Sequence, residues 1–138
     1  MALGLVMAAL LLAAPAAHAE DEITIRIAKQ ASLGADGRVM ITVFVRCGPL
    51  PGAEDFIEAH AGVGQARTGA GGEGGLDGTV VCDGVERVHT AHFSPLDGAF
   101  RHGPAVANVS IFACRLVGDD QVCFSANTSR RIIITGRR

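Results

Sequence analysis

The stretch Val39-Met-Ile-Thr-Val-Phe-Val-Arg-Cys47 alternates without a break. Val39, Ile41, Val43, Val45 and Cys47 share one face; Met40, Thr42, Phe44 and Arg46 share the other. A period of two over nine residues is a β-strand with one buried face. Such a strand needs neighbours for its backbone and a second layer for its apolar side. Cys47 points where the valines point, towards the interior. Gly48-Pro-Leu-Pro-Gly52 then ends the strand, because proline cannot donate to an interior ladder.

The rest of the chain reads as more strands. Ile23, Ile25 and Ile27 alternate with Thr24 and Arg26, and Gly34 to Gly37 is a turn. Phe56 to Val63 alternates more weakly. Gly64 to Gly75 is rich in glycine and reads as a flexible loop. Gly78 to Pro95 holds the middle of the fold, with strands Leu76–Cys82 and Val85–Phe93 joined at an Asp83-Gly84 hairpin turn. Phe100 to Pro104 reads as a crossing loop and Ala105 to Leu116 as a long strand. Val122–Ala126 and Arg131–Thr135 close the sheet. The expectation is an all-β sandwich of about seven to eight strands and no helix after the leader. Arg130-Arg131 and Arg137-Arg138 form a basic edge that guards Ile132–Ile134 against pairing with another chain.

Residues 1–19 read as a signal peptide. An apolar run from Leu3 to Ala14 is short for a membrane span and ends in Ala17-His18-Ala19, a small-x-small cleavage pattern. Residues 20–138 are then a single exported domain. An even count of four cysteines in an exported chain implies two disulfides. A two-residue turn at Gly118-Asp119 sets Val117 opposite Asp120 and Cys114 opposite Cys123, on a non-hydrogen-bonded pair whose close Cα atoms suit a bridge. That leaves Cys47 to pair with Cys82. No C-x2-C spacing suggests zinc.

No catalytic constellation emerges. His89 and His92 are three apart on a strand, so they face opposite ways and cannot chelate one metal together. Ser94, His92 and Asp97 lie close in sequence but lack a nucleophile elbow. Asn108-Val-Ser110 and Asn127-Thr-Ser129 match the glycosylation sequon and read as chance in strands. The expectation is no enzyme, no metal and no cofactor. The formal net charge of −2 argues against nucleic acid and anionic membrane. Trp and Tyr are absent, so sugar stacking and aromatic hot spots lack their usual residues. Candidate binding residues are Arg67 and Glu73 in the glycine loop, and Arg101 and His102 in the crossing loop.

Several stretches carry a resemblance: the strand ending in Cys47, Gly78-Thr-Val-Val-Cys82-Asp-Gly, Thr90-Ala-His-Phe-Ser-Pro95, and Phe100-Arg-His-Gly-Pro-Ala105 leading to Cys114 and Cys123. Together they resemble small secreted immunoglobulin-like proteins of actinobacteria, grouped as a domain of unknown function. Members often carry an aromatic where His89 stands. A true immunoglobulin domain would have a Trp between its core cysteines and a tyrosine corner, and neither is here. The resemblance implies a sandwich and export, and brings no activity. The expected role is a monomeric, secreted, non-catalytic binding or cell-envelope module, whose partner is a protein, a cell-wall component or a small molecule. The alternative is an exported small-molecule carrier similar to actinobacterial apoproteins that hold antibiotic chromophores. A deep apolar cleft beside Cys114–Cys123 would favour the carrier, and a filled interior the module.

Overall fold

The computed structural model describes residues 23–48 and 56–136. The segment read as a signal peptide, the Pro49–Gly52 part of the expected strand stop and Arg137-Arg138 lie outside them. Eight strands follow in order: β1 (Ile23–Ile27), β2 (Gln30–Leu33), β3 (Val39–Cys47), β4 (Phe56–Gln65), β5 (Ala70–Gly74), β6 (Arg87–Phe93), β7 (Gly103–Val117) and β8 (Asp120–Gly136). Strand β3 pairs antiparallel with β1 on one edge and β6 on the other. Strands β8, β7, β4 and β5 form a second run in that order. The short β2 links the two. It pairs antiparallel with β3 through Ser32 and Leu33, and parallel with β8 from Gln30 to Leu33. The result is the expected all-β sandwich.

Its core comes from two combs. Val39, Ile41, Val43, Val45 and Cys47 of β3 are buried, with Ala91 and Phe93 of β6 beside them. Across the layer gap stand Ala105, Ala107, Val109, Ile111 and Ala113 of β7, with Ile132 and Ile134 of β8. The strict alternation of β3 places every second residue inside. The small residues of β7 leave room for the branched side chains opposite them.

Four local expectations change. The segment 76–86 is not a strand and hairpin. It crosses from β5 in one layer to β6 in the other, so it cannot stay in either ladder. Its backbone is spent on other partners: Asp77 N–H donates to the Thr90 carbonyl, and Gly84 N–H donates to the Cys47 carbonyl. Val80 plugs the core on the way. The glycine-rich segment is likewise not a free loop. It forms a turn and then β5, in register from Ala61↔Gly74 to Gln65↔Ala70. A Cβ on Gly72 would stand 2.9 Å from the Phe93 Cβ and from the Ser94 carbonyl oxygen, so glycine lets β5 lie against β6. Strand β7 already begins at Gly103, inside the expected crossing loop. The two closing strands are one continuous β8 of 17 residues, because β7 pairs along its whole length.

Both expected disulfides are present. The β7–β8 register runs Val117↔Asp120 to Cys114↔Cys123, as the two-residue turn requires. The Cα atoms of that bridge are 4.0 Å apart, and those of Cys47–Cys82 are 4.5 Å apart. Cys47–Cys82 closes 35 residues and pins the crossing segment to the end of β3, while the hairpin clip closes only 9. Chain entropy assigns about 4 kcal/mol to the first and about 3 kcal/mol to the second. Replacing Cys47 and Cys82 by serine should therefore lower stability in urea denaturation more than replacing Cys114 and Cys123. The reverse order would contradict the assignment of Cys47–Cys82 as the principal staple.

Candidate binding surface at the loop end

Strand β4 carries its inward comb through Ala61 and Val63 to Gln65, which is only 1% exposed. A primary amide at a core position needs partners for both ends. Gln65 has them. Its Nε2 donates to the Arg101 carbonyl at 2.8 Å and the Pro104 carbonyl at 3.3 Å. Its Oε1 accepts from the Arg101 N–H at 2.8 Å and from the Thr68 hydroxyl at 3.1 Å. One side chain thus ties the β4–β5 turn to the segment before β7.

Arg67 adds a second tie. Its guanidinium donates to the His102 carbonyl at 2.8 Å. It lies over Gly103, where a Cβ would come within 3.3 Å of Nη2, and Gly103 has φ +128°. Glycine suits that position on both counts. Arg67, Arg101 and His102, three of the four candidate binding residues, therefore meet at one end of the sandwich. Glu73 does not join them. It sits on β5, opposite Gly62, on the outer face of the four-stranded run.

Three surface depressions lie on this side of the molecule. One, of about 350 Å³, is polar and lined by His60, Glu73, Asn108, Ser110, Asn127 and Ser129. The second, also about 350 Å³, has a floor of Gly62, Gly64 and Gly71 between Glu73, Asn108 and Asp97. The third, about 590 Å³, lies at the joined loops, where Ala66, Ala70, Pro104 and Val106 meet Arg67 and Arg131.

The histidines are dispersed. His89 and His92 do face opposite ways: His89 is buried in the core and His92 is exposed. His89 Nδ1 donates to the Asp77 carbonyl at 3.2 Å, and its Nε2 has no partner among the described residues. His92 Nδ1 lies 2.7 Å from an Asp77 carboxylate oxygen, which also accepts from the Thr90 hydroxyl at 2.8 Å. The Thr90 bond above all, with His92 beside it, holds the Asp77 carboxyl below its usual range against the opposing pull of burial. The carboxylate partner of His92 is thus Asp77, while Asp97 bridges to Gly71 at the edge of β5. His60 pairs with Glu58 on β4 at 2.6 Å. Among the described residues, no three His, Cys, Asp or Glu side chains gather in a way that would hold a metal ion.

Gln65 and Asp77 are the organising residues that sequence reasoning missed. Gln65 had a signal: it continues the alternating face of Ala61 and Val63, where an amide is out of place. Asp77 had none, because it lies off any strand and its partners are 13 and 15 residues away on β6.

No known protein family, curated protein or solved structure matches the chain.

Replacing Gln65 by leucine keeps the volume and removes the amide. It orphans the Arg101 N–H and two carbonyls, and should cost about 2–4 kcal/mol in urea denaturation. A change below about 0.5 kcal/mol, the range of neutral surface substitutions, would show that the tie carries no stability.

Proposed function

We propose that the chain is a secreted, non-catalytic binding module of immunoglobulin-like type, and that it binds through the loop end built on Gln65. The carrying observation is the tie itself. Two segments far apart in sequence are fixed to each other by a buried amide with four partners. Fixing loops before a ligand arrives removes their ordering cost from binding. Loops positioned by a rigid scaffold are where binding residues concentrate.

Two disulfides support an oxidising compartment. No helix among the described residues is long and apolar enough to cross a membrane. The inter-layer space is occupied by Val43, Val45, Phe93, Val109, Ile111 and Ile132. That packing favours a module over a carrier with its ligand between the layers. The dispersal of His60, His89, His92 and His102 supports a non-catalytic role.

The test is amide chemical-shift mapping of the disulfide-intact protein against extracts of producer cell envelope and culture medium. The expected result is saturable shifts confined to residues 64–70 and 100–106, with no turnover of the bound component. Shifts elsewhere, no shifts, or conversion of the ligand would overturn the reading.

A further inference from the structure

The depression at the loop end differs in chemistry from the two beside it. The other two both include Glu73. This one is the largest of the three and has no acidic residue in its lining. Its floor is apolar, built from Ala66, Ala70, Pro104 and Val106, and two guanidiniums border it, Arg67 and Arg131. At about 590 Å³ it falls within the range of small-ligand sites rather than that of a macromolecular interface.

The two arginines are placed differently. The His102 carbonyl holds Arg67 through one of its donors, which leaves the others of the fork directed elsewhere. Arg131 stands opposite Val106 in the β7–β8 register, on the outward face between buried Ile132 and its neighbour Arg130. Arg130 is committed to the fold, donating to the Ile27 carbonyl at 2.6 Å. The Arg131 side chain has no hydrogen-bond or ion-pair partner among the described residues. The expected edge-guarding role does not hold, because Ile132–Ile134 is paired on both sides, with β7 and with β2; of the two arginines, Arg130 is structural and Arg131 borders the depression.

We propose that this depression binds a small amphiphile: a single carboxylate on an apolar body, with its head between Arg67 and Arg131 and its body over Pro104 and Val106. Guanidinium is the side chain whose geometry matches a carboxylate in two parallel bonds. Val106, 49% exposed, is apolar surface that such a body would cover. The proposal rests on the loop end being a binding surface and adds the ligand class.

The test is calorimetric titration of the full disulfide-bonded protein with decanoate below its micelle concentration, with amide shifts read in parallel. The expected result is one-to-one binding with shifts at residues 64–70 and 104–106. Decyltrimethylammonium, with the same tail and opposite charge, should bind at least about tenfold more weakly, as should acetate, which has the head without the tail. Arg131→Gln should weaken decanoate about fivefold or more while leaving the thermal melt unchanged, since the Arg131 side chain makes no internal bond and its backbone pairing is untouched. Val106→Asp, which keeps both arginines, should weaken it further. Equal binding of the cationic analogue, an Arg131→Gln protein that binds as well as the parent, or binding only to anionic vesicles would overturn the proposal. If decanoate fails while envelope extract still shifts residues 64–70 and 100–106, the ligand class falls and the binding surface stands. If neither shifts them, both fall.

Discussion

The loop end of the sandwich closes on one buried amide. Gln65 sits at the end of an inward comb, where a leucine or valine would ordinarily stand, and each of its polar atoms is satisfied by another segment of chain. The consequence is geometric more than energetic. A hydrogen-bonded primary amide specifies both distance and direction, so the turn after β4 and the start of β7 can adopt only one mutual placement. Arg67 then has a fixed carbonyl to reach, and its guanidinium a fixed surface to border. The opposite end is closed by different means. There the Cys47–Cys82 bridge and the Gly84 N–H to Cys47 carbonyl bond anchor the crossing segment.

These two closures explain how a chain with no tryptophan or tyrosine holds a two-layer fold. The combs of β3 and β7 are built from branched and small side chains, with Phe93 and Phe100 as the buried aromatic mass. A core of that kind supplies less area per residue than an aromatic one. Small domains offset such a shortfall with covalent staples. The remaining phenylalanines sit nearer the surface. Phe56 meets Phe112 edge to face at 6.1 Å beside the hairpin clip, and the Arg26 guanidinium lies 3.8 Å from the ring centre of Phe44.

Much of the fold was legible from residue alternation. The nine residues of β3 declare their buried face, and the Gly118-Asp119 turn fixed the register that joins Cys114 to Cys123. Legibility failed where tertiary context overrides local pattern. Residues 76–82 contain a β-rich Thr-Val-Val, yet they bridge the layers and spend their backbone there. Ala70–Gly74 has almost no side chain, yet it pairs as a strand because β4 offers a ladder and β6 demands a close approach. Strand β2 has no alternation long enough to read in four residues. Of the candidate site, Arg67, Arg101 and His102 were placed on the right segments. Their meeting depends on contacts about 35 residues apart in sequence, which alternation does not encode.

Binding through the loop end requires that it be rigid in the free protein. Native-state hydrogen exchange at the Arg101 amide tests it most directly, because that N–H donates to the Gln65 side chain rather than to a strand partner. A rigid loop end protects Arg101 within about tenfold of core amides such as Val43, and that protection is lost when Gln65 is replaced by leucine. Exchange of Arg101 at the rate of an unstructured loop would contradict it.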